Sequence, residues 1–221
     1  MKLPPINFDL IAIESELWAL EQYLSILEGH IPMIIKEQRE NMDRTLMKLQ
    51  NESDESEWHM HHQDHVEIVE LVIPRFFRSP FVVMLWAAYE SAVIQISNLL
   101  REKKGTALSI RDLRADNFIE QAQKYFQHVL YFPILTDKKS RDRLEMLRIL
   151  RNAIAHSNGR VEAIKNEKDR KKIRDWAKKD LGISTIDGNL IFSKKFLNES
   201  FKIVNESITE LIERAEPLVN Y

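Results

Sequence analysis

Apolar residues recur at helical spacing along nearly the whole chain. Phe8, Ile11, Ile13, Leu17, Leu20, Leu24, Leu27, Ile31, Ile34 and Ile35 form the first such stripe. It predicts helix over residues 7–51, thinning through Met42, Leu46 and Leu49. Gly29 and Pro32 interrupt it, and proline inside a helix removes a donor and clashes with the preceding turn. The expected form is therefore an antiparallel hairpin arm or a dimer prop. Asn51-Glu52-Ser53-Asp54-Glu55-Ser56 is the clearest loop signal. The next helical stretch is expected to end at Pro74. Ser79-Pro80 reads as a fresh start, a serine cap followed by proline at the first helical position. From Phe81 to Leu100 the pattern is apolar on nearly every side. Its length approaches a membrane span, but Glu90 sits at its centre. A buried bundle helix is the better reading, and its carboxylate then needs a cation. Arg151 and Arg148 are the candidates.

Beyond Gly105 the elements shorten. Ser109–Leu113 is a connecting element, and Asn117–Leu130 carries a helix. Its aromatics, with Tyr131 and Phe132 after it, suit a core or base stacking. A helix with Ser140 as its cap runs to His156. The segment 166–180 alternates cations and acids around Ile173 and Trp176 and reads as a basic helix, broken by Gly182. Ile183–Ile186 and Asn189–Phe192 are β-prone runs around Asp187-Gly188, a hairpin signal. Ser193 is placed to cap a last helix with Phe196, Phe201, Val204, Ile208 and Leu211 on its core face. The pattern as a whole predicts an all-α helical bundle with one small β-hairpin near 183–192. It forms a single domain over residues 1–221, with an N-terminal helical arm (1–57) and a bundle (58–221).

Composition narrows the classes. Hydrophobic residues make up 44% of 221 positions, enough for a sizeable core, and five glycines and seven prolines favour long helices. The absence of cysteine removes disulfides, thiolate metal sites and a cysteine nucleophile, and fits a reducing, cytoplasmic setting. Met1–Pro5 has no apolar run of the kind a secretory leader needs. The net charge of −2 is not that of a typical nucleic-acid binder, but its distribution is uneven. Residues 1–57 hold 12 acids and 5 bases, a net of −7, whereas residues 138–179 hold 15 bases and 6 acids, a net of +9. A local basic field is what attraction of RNA requires.

The positive segment contains Arg151-Asn152-Ala153-Ile154-Ala155-His156. On a wheel with Leu144 at zero, Leu147, Leu150 and Ile154 share one face. Arg141, Glu145, Arg148, Asn152 and His156 share another, between about 40° and 120°. Histidine can take and give a proton near neutral pH. Arginine offers a permanent planar fork for phosphate oxygens, and asparagine can orient an imidazole or a substrate group. The trio suits metal-free transesterification at an RNA phosphodiester. Spacing alone also allows a solvated helix end whose cations complement the dipole. A second cluster, Trp58–His65, holds His61 and His65 four residues apart. That spacing suits a surface cluster or a weak metal site, without the glutamate of a helical zinc-protease motif.

Arg151, Asn152 and His156 at the end of an amphipathic helix resemble the signature of the HEPN family (higher eukaryotes and prokaryotes nucleotide-binding). In that family an arginine, often followed by asparagine, precedes a histidine after four to six residues. The resemblance implies an all-helical domain and a metal-independent endoribonuclease of a toxin or antiviral defence system, needing no cofactor. His156 is then the general base or acid, Arg151 the phosphate clamp, and Asn152 the residue that orients His156 or substrate, with Glu90 and Arg148 in support. RNA is the implied partner, with a homodimer forming a composite cleft and an antitoxin or regulatory protein as a further partner. No membrane is involved. The alternative is a helical dimer without turnover that binds a nucleotide, RNA or a protein.

Overall fold

A computed structural model describes residues 7–49, 62–63, 66–132, 134 and 137–219. They form six α-helices, α1 (Phe8–Leu49), α2 (Ile73–Lys104), α3 (Phe118–His128), α4 (Lys138–Ser157), α5 (Glu167–Ala177) and α6 (Lys194–Val219). A two-stranded antiparallel hairpin, β1 (Ile183–Ile186) and β2 (Asn189–Phe192), lies between α5 and α6. The all-α class with one small hairpin is therefore observed.

The chain divides into two compact units. One comprises Met1–Glu21, Val82–Asn152 and Asn198–Tyr221, and the other comprises Gln22–Phe81 and Ala153–Leu197. In the first, Val82, Leu85, Trp86, Tyr89, Tyr125, Phe126, Leu144, Leu147 and Leu150 are buried. The ring of Phe118 meets Trp86 edge-on at 6.4 Å. Tyr125 buries its ring and sends its hydroxyl to the Leu108 carbonyl at 2.7 Å, so the buried phenol keeps a partner. Tyr125, Phe126 and Phe132 are thus core residues, whereas Tyr131 is 81% exposed. In the second unit Leu24, Leu27, Ile31, Phe81, Ile173, Leu190, Phe192 and Phe196 are buried. Each such side chain contributes about 1.5–3 kcal/mol through removal from water.

Three expected helix breaks are absent. α1 runs unbroken through Gly29 and Pro32 as one 42-residue helix, so it is not a hairpin. Pro32 removes the bond to the Glu28 carbonyl, an interior cost of about 3 kcal/mol. Burial of Leu27 and Ile31 offsets it, and an ion pair holds Glu28 itself (below). α2 likewise contains both Pro74 and Pro80. A π-turn, Ile68–Val72, precedes it, and the Ile73 N–H bonds the Ile68 carbonyl. The wider turn absorbs the mismatch that proline brings. Pro80 frees the carbonyl of Phe76, a residue 59% exposed, so Ser79-Pro80 restarts nothing. The loop at 51–56, with Trp58, His61 and His65, lies outside the described residues.

Other ends obey local chemistry. Asn117 caps α3 by accepting from the Glu120 N–H at 3.1 Å, Asn166 caps α5, and Ser193 Oγ accepts from the Phe196 N–H at 3.1 Å. The hairpin pairs Ile183 with Phe192 and Ile186 with Asn189. Both turn residues, Asp187 (φ 47°) and Gly188 (φ 75°), take the left-handed conformation that this turn needs. Gly182 has φ +74°, and a Cβ there would sit 2.3 Å from Ser193 Oγ, so glycine is required where the chain turns into β1.

Candidate functional site

The motif lies on α4. This helix starts two residues before Ser140, the residue whose type suggested a cap. Asp137 takes that role, its carboxylate accepting from the Ser140 N–H at 2.8 Å. An anion at the positive end of the helix dipole is favoured. Bonds from the Ser140 side chain and then its backbone hold the Asp137 carboxyl below the usual carboxylate range. Of the expected apolar face of α4, Leu147 and Leu150 are buried beside Leu144, whereas Ile154 is half-buried and its neighbour Ala153 lies inside.

Arg151 and Asn152 belong to the first unit. Both are half-buried, and Arg151 Nη1 donates to Asn152 Oδ1 at 3.0 Å. The hydrogen bond of the Asn152 carbonyl oxygen therefore goes to the arginine. Arg151 Nε is buried with no acceptor. Such a group costs on the order of 1–3 kcal/mol when left unmade. The expected pairing of Glu90 with Arg151 or Arg148 does not form. Glu90 is half-buried and no ion pair involves it among the described residues. Arg148 is instead bound through Nε and Nη2 by Glu145 at 2.8 Å, one turn earlier on α4. A carboxylate three residues away on the same helix reaches that guanidinium without crossing the core.

His156 belongs to the second unit, as does the end of α4. Its ring is exposed and makes no hydrogen bond or ion pair among the described residues. The chain then turns sharply through Asn158 (φ 48°) and Gly159 (φ 71°). The Gly159 N–H closes back on the Ala153 carbonyl at 3.0 Å. Gly159 O and the Val161 N–H then pair with the Leu190 N–H and Gly188 O at 2.9 Å each. An isolated bridge between Arg160 and Asn189 lies between them. The hairpin thus fixes the segment that follows His156.

A residue outside the motif holds the same turn. Arg75, on α2, donates through Nη2 to the Asn158 carbonyl. Burial, then the neighbouring Arg160 cation, lowers the pKa of its guanidinium. Ile73-Pro74-Arg75-Phe76-Phe77-Arg78 shows two arginines one turn apart in an otherwise apolar run. That local signal is visible, but the partner of Arg75 lies 83 residues away.

Comparison with protein-family models, with curated proteins and with solved structures finds no match to this chain. Among the described residues no group of three His, Asp or Glu is placed to hold a metal ion. Among the same residues no helix is long and apolar enough to cross a membrane.

Proposed function

We propose that the chain is a metal-independent endoribonuclease of the HEPN type, acting as a toxin or defence effector. The observation that carries the reading is the state of Arg151. Its guanidinium is half-buried and braced by Asn152, and no carboxylate neutralises it among the described residues. An arginine paired with Glu90 or another acid would be neutralised within the scaffold. An arginine kept unpaired is available to a phosphate. The exposed, unengaged His156 ring on the same helix supplies the second requirement.

In the proposed reaction the His156 imidazole takes the proton of a ribose 2′-hydroxyl. The 2′-oxygen attacks the adjacent phosphorus while Arg151 stabilises the crowded phosphate oxygens. The 5′-oxygen leaves with the proton that the His156 imidazolium gives up, so that the imidazole is regenerated with a 2′,3′-cyclic phosphate and a free 5′-hydroxyl as products. Asn152 acts by holding Arg151. The active unit in this reading is a homodimer that brings two motif helices to one cleft, restrained by an antitoxin or regulatory partner.

The test is RNA cleavage by the purified protein in EDTA, beside His156→Ala and Arg151→Ala, with product ends identified. The expected result is cleavage leaving cyclic phosphates, reduced about 10²–10⁴-fold in His156→Ala, the range for loss of a general base. Equal cleavage by all three proteins would overturn the assignment. RNA binding without cleavage by any of them would favour the non-catalytic module.

A further inference from the structure

We propose that Arg75 and Arg160 form a phosphate clamp at the C-terminal end of the motif helix, and that its ligand is a backbone phosphodiester of single-stranded RNA. The choice of RNA as the ligand rests on the ribonuclease reading. The clamp itself rests on geometry within one unit.

The guanidinium of Arg75 lies against the turn that ends α4. It bonds the Asn158 carbonyl, and its Nη2 lies 3.6 Å from the point where a Cβ on Gly159 would stand. Arg160 is the next residue along, exposed, with its backbone bridged to Asn189. Two cations are thereby brought to one turn by elements from distant parts of the chain. Neither has an acid partner among the described residues. Glu162, two residues on, is bound by Arg174 through both carboxylate oxygens at 2.7 and 2.8 Å. Asp187, in the adjoining hairpin turn, forms no ion pair among the described residues. Like charges placed together without an anion repel one another, and the repulsion lowers the Arg75 pKa further than burial alone does.

The position makes this more than a helix cap. The C-terminal end of a helix carries roughly half a negative charge, which one arginine on its last carbonyls is enough to answer. The second arginine turns the local sign positive, and a planar fork beside another cation suits the non-bridging oxygens of a phosphodiester. Gly159 lets the chain turn close against Arg75, since its φ of +71° disfavours any residue with a Cβ. His156 lies on the last turn of the same helix, so a strand held here is held next to the proposed base.

The probe is a single-stranded RNA with every ribose 2′-O-methylated, which has no free nucleophile and cannot be cleaved. Its binding is measured by fluorescence anisotropy across a salt series in EDTA. Arg160→Ala should weaken binding about tenfold, the size of one charge-assisted hydrogen bond. It should also reduce the slope of log affinity against log salt by about 0.7, one phosphate contact on a single strand. Arg75→Lys keeps the charge and the fold but loses the fork, and should weaken binding with the slope unchanged. Arg111→Ala, an exposed cation on the other unit, makes the same change in net charge and should leave binding close to wild type. A wild-type affinity and slope in Arg160→Ala, an equal loss in Arg111→Ala, or no binding by the wild type would overturn the clamp. Cleavage of unmethylated RNA is scored separately. A protein that binds through Arg160 yet cleaves nothing sinks the ribonuclease reading and leaves the clamp standing. The converse result sinks the clamp alone.

Discussion

Arg78 and Arg75 stand one turn apart on α2, in the same unit, and their partners differ in kind. Arg78 meets both oxygens of Glu28 at 2.8 and 2.9 Å and sends Nη1 to the Phe192 carbonyl at 3.1 Å. The side chains are 18% and 3% exposed, so this charge pair is largely out of water. Each ion neutralises the other and no ligand is wanted. Arg75 meets a carbonyl, the ring of Phe76 at 5.7 Å and another cation, and no carboxylate among the described residues. The sequence writes both as arginine in an apolar run. What separates a structural guanidinium from one kept for an anion is whether the fold brings a carboxylate to it.

The largest effect expected of this difference is on stability. Glu28→Ala strips a buried guanidinium of its counter-ion, which costs about 3–5 kcal/mol, because an uncompensated charge remains in the interior. Arg75→Ala removes one bond to a carbonyl at a half-exposed site and should cost about 1 kcal/mol. Urea denaturation of the two variants beside the wild type measures both. Similar losses would mean that Arg75 is as structural as Arg78, and the contrast between them would collapse.

A smaller effect has the opposite sign. If Arg160 stands beside Arg75 for the sake of a ligand, the empty protein carries their repulsion. Arg160→Ala should then stabilise the unliganded fold by about 0.3 kcal/mol in dilute salt, the small size reflecting solvent screening at a largely exposed pair. The gain should vanish near 1 M salt, where the screening length falls to about 3 Å. Thermal melts in phosphate-free buffer at the two salt levels decide it. A loss of stability in Arg160→Ala would make that residue part of the scaffold.

Local rules in the sequence carried far where the controlling chemistry was itself local. The Asp187-Gly188 turn, the Asn117 and Asn166 caps and the Ser193 cap each depend on residues within four positions. Most of the apolar face of α4 followed from its period. The proline breaks did not hold, because the cost at Pro32 and Pro74 is met by burial and by a π-turn that propensity does not see. The motif residues Arg151, Asn152 and His156 were legible as a set. Their surroundings were not. Glu90 was matched to an arginine by charge alone, whereas Arg148 had Glu145 one turn away. Arg75 is absent from any local reading of the motif, because the turn that it holds comes 83 residues later.

The smallest effect separates the two ends of α4. At its start Asp137 is an exposed carboxylate whose pKa is lowered by bonds from the Ser140 side chain and then its backbone. At its finish the cap is an arginine, which stays charged throughout the acid range. A carboxyl with a folded-state pKa below its unfolded value of about 3.9 contributes stability that is fully present above that value. The contribution is lost as pH falls through the folded value. Acid should therefore loosen the start of the motif helix and leave its finish fastened. Asp137→Asn keeps an oxygen to accept the Ser140 N–H but removes the titration. The stability difference between wild type and Asp137→Asn should shrink steadily from pH 5 to pH 2, while that between wild type and Arg75→Ala should stay level. Denaturation curves at three pH values across that window suffice. A constant Asp137→Asn difference would show that the cap works as a dipole acceptor rather than as a charge, and the two ends of the helix would then differ only in geometry.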